Sequence, residues 1–197
     1  MKRAAIGFRV HSGWAAMVAV SLENGPRVLL RERPHLVETF TYQFRQPYHT
    51  AEKMPLDNAG AFIARVESES RALAERAIST AKDELHKQGY ELKTISVLQA
   101  SGKPLPSLES ILASHALIHT ADGELFRTAL AQAGESCGLR GVPTKERELL
   151  ATAARALRLP TAKLASGLTA LGKPLGAPWS QDEKFAALAA WLALLRV

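Results

Sequence analysis

Apolar and polar residues alternate along the first part of this 197-residue chain with the two-residue period of β-strands. Residues 4–10, 14–22 and about 26–33 are strand-like, and the short turns between them predict an antiparallel meander. Prolines, aromatic residues and two histidines then interrupt the pattern over residues 34–58, which predicts a mostly irregular segment covering the sheet.

From residue 59 onward the apolar period changes to that of amphipathic helices. A long helix is predicted over residues 59–88, ending at Gly89. A buried strand follows in "ELKTISVLQASGK" and ends in a glycine turn, and a short last strand is predicted in "LRGVPT". The remaining helices are predicted at residues 107–114, about 120–137, within "KERELLATAARAL", near 161–171 and at 181–195.

The last of these helices carries the longest apolar run, "FAALAAWLALLRV". This run is too short and too rich in alanine to span a bilayer, and a core helix is the better interpretation. Ser180 and Glu183 form a capping-box pattern just before it. Four residues at helical spacing predict its buried side: Phe185, Leu188, Leu192 and Leu195.

The order of these elements and the motif "IGFRVHSGWAAMVAV" resemble the ribonuclease H-like superfamily. Members of its Holliday-junction-resolvase branch and the actin-like ATPases have an apolar strand, a glycine, an aspartate, and a Gly/Ser turn into a second apolar strand. The resemblance covers about residues 4–158. It implies an α/β fold in which a mixed five-stranded sheet, three antiparallel strands followed by alternating helices and strands, is covered by helices on its faces, with extra C-terminal helices. We therefore expect a ribonuclease H-like domain at residues 1–158 and a helical extension at 159–197 packed on the same domain.

The motif differs from the family at the position of the metal-binding aspartate. Aligning Ile6 with the family's first strand places Arg9 on the aspartate and His11-Ser12-Gly13 on the turn. Two-metal phosphoryl chemistry needs carboxylate oxygens to bind Mg²⁺, and a guanidinium repels the ion. The resemblance thus predicts the frame of such an enzyme without its usual metal site.

The other acidic positions give little support to that metal site. The family's second acid often lies at the end of the fourth strand, where this chain has Gln99. Glu146 and Glu148 follow the last strand, but charges on a solvated helix explain them equally well. An actin-like ATPase is less compatible still, because that fold needs two such domains and a second phosphate-binding hairpin.

A second candidate site lies in "SHALIHTADGELFR", residues 114–127. His115 and His119 are four residues apart and therefore share one side of a helix. Thr120 is a candidate N-cap, which would place Asp122 and Glu124 in a first helical turn.

Three interpretations of this segment remain open. In the first, Asp122 and Glu124 only start a helix. In the second, His115, His119 and Glu124 join His11 in a polar or metal-binding cluster for zinc, manganese or iron. In the third, an anion is bound by Arg9, Arg127 and the helix N-terminus at Thr120.

Composition adds a modest preference for phosphate-bearing partners. The chain has a formal net charge of +6 and a pI of about 9.7, but its charges are spread out, so a basic surface without such a partner fits equally well. The single cysteine, Cys137, excludes an intramolecular disulfide, and a reducing cytoplasm is the expected compartment.

Two functions are compatible with these patterns. The preferred one is a diverged ribonuclease H-like domain that binds a nucleotide, nucleic acid or protein partner through the face near Arg9, His11 and Ser12. The alternative is a metal-dependent hydrolase or phosphoryl-transfer enzyme with a rebuilt site, in which His115 and His119 are the metal ligands. A divalent metal is the one cofactor considered, whether the chain is an enzyme stays open, and no membrane partner is expected.

Overall fold

A computed structural model describes residues 1–100 and 104–196 and contains a mixed sheet of six strands. The strands are β1 (Lys2–His11), β2 (Trp14–Ser21), β3 (Arg27–Glu32), β4 (Tyr90–Gln99), β5 (Arg140–Gly141) and β6 (Thr144–Lys145). Their order is β3-β2-β1-β4-β5, and β6 also pairs with β4. β1 is antiparallel to β2 and parallel to β4, which confirms the predicted meander and mixed sheet.

The short strand predicted in "LRGVPT" is present as two strands instead of one. β5 and β6 both run parallel to β4, and Val142 and Pro143 lie between them. Proline has no backbone N–H and therefore does not donate to a strand ladder, which explains the interruption. The glycine turn predicted after β4, at Gly102, lies outside the described residues.

Eight α-helices lie within the described residues. They are α1 (Tyr42–Arg45), α2 (Pro47–Ala51), α3 (Leu56–Lys87), α4 (Leu108–Leu112), α5 (His115–Ser136), α6 (Leu149–Leu157), α7 (Thr161–Leu171) and α8 (Gln181–Leu194). The segment predicted to be irregular holds α1 and α2. The helix predicted from about residue 120 begins at His115, with Ser114 as its N-cap, so that prediction was wrong at its start.

The two faces of β1 have different neighbours. Ile6 and Phe8 point toward α3 and α5 and belong to the larger hydrophobic core. Because side chains alternate along a strand, Gly7, Arg9 and His11 lie on the opposite face, which α8 covers. The alternation in the sequence thus places Arg9 and His11 on the face of β1 that the last helix covers.

A glycine allows α8 to lie very close to β1. A Cβ at Gly7 would be 2.0 Å from the carbonyl oxygen of Ala186 and 2.7 Å from the backbone nitrogen of Ala190. No side chain fits at those distances. The close contact fixes the helix along the strand, with Asp182, one turn before Ala186, beside the carboxyl end of β1.

The predicted buried side of α8 was only half right. Leu188 and Leu192 are buried, but they pack in a separate cluster with residues of α6 and α7, whereas Leu195 is 46% exposed. Four alanines of α8 form the side that meets the sheet: Ala186, Ala187, Ala190 and Ala193. α8 is therefore buried on two sides. The side with the small residues packs on the sheet, on the same face as Arg9 and His11.

The division at residue 158 into a domain and an extension stays a prediction. α8 nevertheless belongs structurally to the central sheet, because it contacts β1, β2 and β4. None of the helices among the described residues combines the length and apolarity that crossing a membrane requires.

Candidate functional site

A guanidinium stands between two carboxylates at the carboxyl end of β1. Arg9 donates from Nε and Nη2 to Oε1 of Glu146 at 3.0 and 2.7 Å, and from Nη1 to Oδ1 of Asp182 at 2.6 Å. Nε2 of His11 lies 2.9 Å from the same Asp182 oxygen. We call these four residues, Arg9, His11, Glu146 and Asp182, the guanidinium cluster.

A second arginine holds the start of α8 in place. Arg33 donates from Nε to Oε1 of Glu183 at 2.7 Å, and Glu183 is fully buried. The other oxygen of Glu183 accepts from the backbone N–H and the hydroxyl of Ser180 at 2.8 and 2.7 Å. This is the capping box that the sequence predicted, and the structure confirms it.

Trp14 connects His11 with Arg33. Its ring is stacked on His11, with centroids 4.4 Å apart, and the guanidinium of Arg33 lies 5.0 Å from its centroid. Cation–π contacts of this kind favour a fixed orientation of both partners. The side chains around Asp182 are therefore held from several directions.

The two carboxylates of α8 are stabilised in their charged form. Desolvation opposes ionisation of Asp182, but the hydrogen bonds and charges of His11 and Arg9 outweigh it and hold its pKa below the usual value. Desolvation is likewise outweighed at Glu183, whose pKa is lowered by Ser180 and Arg33. Both groups are anions at neutral pH, and both already have a cationic partner.

These residues do not fit the magnesium pair that the resemblance implies. The Arg9 guanidinium lies between Glu146 and Asp182, bonds to one oxygen of each, and puts a positive charge where a metal ion shared by the two carboxylates would lie. Glu146 is thus an ion-pair partner rather than the solvated helix charge considered from sequence. Glu148 is half exposed and lies beside Arg147 and Lys145.

An open cleft adjoins the guanidinium cluster. It has a volume of about 730 Å³ and is lined by Ala100, Arg127, Glu146, Arg147, Leu150 and Phe185. The Phe185 ring lies 5.1 Å from the Arg9 guanidinium and so connects the cleft with the cluster. Ala100 directly follows β4, which places the cleft beyond the carboxyl ends of the parallel strands, where open α/β sheets bind ligands.

A separate group of histidines lies at the start of α5. Nε2 of His115 is 3.1 Å from Nε2 of His119, and His49 of α2 packs edge-on against both rings. Nδ1 of His49 contacts Oδ2 of the buried Asp122, whose Oδ1 accepts from the backbone N–H of Tyr48 at 2.7 Å. We call His49, His115, His119 and Asp122 the histidine cluster.

Burial is the main influence on the acid of this cluster. Desolvation raises the pKa of Asp122 above its ordinary value, although His49 and the backbone N–H of Tyr48 act in the opposite direction. Asp122 is therefore not a helix-starting charge in a first turn, as the sequence suggested, but a buried acceptor within α5.

The predicted cluster of His11 with His115, His119 and Glu124 does not form. His11 bonds to Asp182 on the face covered by α8, whereas α5 packs on the other face of the sheet. Glu124 is paired with Arg127 at 3.1 Å and is not one of the residues whose ligand atoms converge with His115 and His119. Of that predicted set, the structure brings together His115 and His119 alone.

The predicted anion site at Thr120 was also wrong. Thr120 lies within α5, and its hydroxyl donates to the carbonyl oxygen of Ala116 at 2.9 Å, so no helix N-terminus exists there. Arg9 and Arg127 are each bound to carboxylates. Ser12 lies in the turn between β1 and β2, where its carbonyl oxygen accepts from Arg45 at 3.4 Å.

Sequence reasoning missed three residues of these sites. Asp182 was passed over beside its capping-box neighbours, Arg33 was the last residue of the third predicted strand, and His49 lay in the segment treated as cover. An available signal for Asp182 was its position four residues before the alanine stripe of α8. Nothing local indicated His49, because its partner Asp122 is 73 residues away in sequence.

Comparisons with known proteins show a similarity in fold. The search of family models gave no match, and no curated protein matched either. Among solved structures, the chain is similar to Thermus thermophilus RuvC in complex with a Holliday junction substrate. The TM-score is 0.57 at 12% identity, covering 98% of this chain and 94% of that one.

The fold is that of the ribonuclease H-like proteins. A second structure of Thermus thermophilus RuvC is similar at a TM-score of 0.52 and 13% identity, covering 98% of this chain and 93% of RuvC. The fold class predicted from the sequence is therefore confirmed. The likeness also runs into the C-terminal helices, beyond the residues 4–158 on which the resemblance was drawn.

Proposed function

We propose that this ribonuclease H-like chain binds nucleic acid without cleaving it by two-metal chemistry. The observation that carries the proposal is the Arg9 guanidinium between Glu146 and Asp182. The guanidinium of Arg9 takes the place of a metal ion that the carboxylates would otherwise bind. The surface that receives the nucleic acid is the cleft beyond the carboxyl ends of β1 and β4.

Charge neutralisation at the cleft supports this function. Without Arg9, the carboxylates of Glu146 and Asp182 would repel phosphate groups at the mouth of the cleft. With Arg9 in place both carry a partner. The side chain of Arg147 on the cleft rim is 70% exposed and pairs only with the half-exposed Glu148, so it can turn toward a ligand. Phe185 supplies an aromatic surface beside it.

The fold likeness and the net charge point the same way. RuvC, which the chain resembles over nearly its whole length, has been captured with a Holliday junction. A net charge of +6 favours association with a polyanion at low ionic strength. Branched DNA is therefore the first ligand to test, with duplex and single-stranded DNA beside it.

The direct experiment measures binding of a fluorescent four-way junction by anisotropy over a salt series, with either Mg²⁺ or EDTA present. We expect affinity that falls with salt, that differs little between Mg²⁺ and EDTA beyond the screening by the ion, and that produces no cleaved strand. Binding that requires Mg²⁺, or junction cleavage that EDTA abolishes, would contradict the proposal. Affinity unchanged from low to high salt would contradict it as well.

A matched pair of variants locates the binding surface. Arg147→Glu reverses a charge on the cleft, and Arg76→Glu makes the same change on α3, where Arg76 is exposed. Because the net charge of the two variants is identical, weaker DNA binding by Arg147→Glu alone assigns the cleft. Equal losses in both variants would assign binding to overall charge.

The alternative of a metal-dependent hydrolase receives no support as first drawn. Its four residues, His11, His115, His119 and Glu124, are divided among three different sets of contacts. A nucleotide as the ligand of the cleft, a protein partner and a cytoplasmic location stay predictions.

A further inference from the structure

We propose that His49, His115 and His119 form a binding site for a zinc-type divalent transition metal, in which Asp122 orients His49. This site goes beyond nucleic-acid binding and lies on α2 and α5, on the face of the sheet opposite α8.

The spacing of the imidazoles fits one metal ion. One ring nitrogen from each of the three histidines lies within 4.8 Å of the other two. With Zn–N bonds of 2.0–2.1 Å, two tetrahedral ligands are about 3.3 Å apart. The Nε2 atoms of His115 and His119, at 3.1 Å, are already near this value.

The helix explains why two of the ligands converge. His115 and His119 are four residues apart in α5 and therefore stand one above the other on its surface. Both are exposed, so each is open to an ion from solution. His49 approaches from α2, with its ring centroid 4.4 Å from that of His119 and 5.3 Å from that of His115.

Asp122 determines which nitrogen His49 offers. The contact with Oδ2 of Asp122 occupies Nδ1 of His49, so Nε2 is the ring nitrogen that remains for a metal ion. A carboxylate behind a ligand histidine is a common support of metal sites, because it fixes the ring and increases its basicity.

The composition of the site selects the metal. Three neutral imidazoles suit zinc and its neighbours in the transition series, whereas Mg²⁺ and Ca²⁺ prefer oxygen. Three protein ligands also leave a fourth position for water. The consequence for the fold is a cross-link between α2 and α5 that the apolar contacts of α2 reinforce.

The test is a titration of the untagged, chelator-treated full chain with Zn²⁺ alone, followed by competition with a chelating dye. We expect one equivalent to bind, and Co²⁺ in its place to give the visible absorption of a four-coordinate ion. The double variant His115→Ala/His119→Ala should bind Zn²⁺ more weakly by over about 100-fold, since only one ligand remains. His86→Ala, which removes an exposed histidine at the end of α3, should bind as the wild type does.

The variant Asp122→Asn tests whether Asp122 orients His49. It keeps all three ligands, so we expect one equivalent of Zn²⁺ with an affinity about 10- to 100-fold lower. Absence of saturable binding in the wild type, or equal binding by the double variant, would overturn the site. Should Asp122→Asn fail to fold, the double variant still decides, because its two changes are at exposed positions.

Discussion

The guanidinium cluster and the histidine cluster lie on opposite faces of one sheet and differ in the source of their positive charge. In the first, two carboxylates are satisfied by Arg9, a cation that no chelator removes. In the second, ring nitrogens of three imidazoles lie within 4.8 Å of one another, and the cation that we propose for them is a metal ion bound from solution. The first cluster should therefore be insensitive to metal ions and the second should respond to them.

The largest effect is expected from moving α8, which breaks the first cluster and spares the second. Gly7→Ala places a methyl group against the backbone at Ala186 and Ala190, and we expect a loss of about 3 kcal/mol or more in the free energy of unfolding. Urea denaturation measures it. Zn²⁺ binding by the folded fraction should stay stoichiometric.

Gly167→Ala is the matched control for that substitution. Gly167 lies exposed in α7 with nothing near the position of an added Cβ, so alanine should stabilise the protein by about 0.5–1 kcal/mol. If Gly7→Ala were as well tolerated as Gly167→Ala, the close contact of α8 with β1 would be wrong.

The next effect comes from removing the built-in cation. Arg9→Met leaves Glu146 and Asp182 without their shared partner and should cost about 2 kcal/mol, less than for a fully buried pair because about a fifth of the Arg9 side chain is exposed. Millimolar Mg²⁺ should recover part of this loss in the variant and leave the wild type unchanged, as thermal unfolding with and without the ion would show.

Arg71→Met serves as the control for the loss of an arginine. Arg71 is half exposed and pairs loosely with Glu75 on α3, so its loss should cost less than about 0.5 kcal/mol with no response to Mg²⁺. A Mg²⁺ response of the wild type equal to that of Arg9→Met would remove the distinction between the two clusters.

A smaller effect is expected at the start of α8. Glu183→Gln keeps the shape of the capping box but weakens the charged contact with Arg33, at an expected cost of about 1–2 kcal/mol. Glu148→Gln changes a half-exposed carboxylate beside Arg147 and should cost less than about 0.5 kcal/mol. Chemical denaturation of both variants compares them directly.

The smallest effect is a dependence on pH. Because the pKa of Asp182 is lowered in the folded chain, its ion pairs contribute full stability above its usual value of 3.8, and that contribution is lost as pH falls toward the folded value. Asp182→Asn should therefore reduce the loss of stability between about pH 5 and pH 3, by less than about 1 kcal/mol given its partial exposure. Identical pH profiles of the variant and the wild type would show that Asp182 has no lowered pKa.

The two clusters also differ in how far the sequence predicted them. Arg9 and His11 were singled out by aligning the first hairpin with the family that the chain resembles, and the apolar alternation of β1 specifies the face on which they lie. Local patterning likewise predicted the long helix α3, the capping box of Ser180 and Glu183, and α7. Each of these rests on residues that are neighbours in sequence.

What failed depended on contacts between distant segments. Arg9 meets Asp182 across 173 residues, and no periodicity within either segment reports that contact. The start of α5 was misplaced because Thr120 and Asp122 have the chemistry of a helix start, yet Ser114 caps the helix and Asp122 is buried against His49. Tertiary contacts outweighed local preference in both cases.

The position of α8 along the chain has a consequence for folding during synthesis. β1 leaves the ribosome well before α8, which covers one of its faces and follows the other described helices in chain order. Until α8 is complete, Ala5, Gly7 and Arg9 face solvent and the sheet has one open side. We therefore expect the core between the sheet, α3 and α5 to form before the second face is covered, and a polypeptide that ends before Asp182 lacks the partner that Arg9 and His11 share.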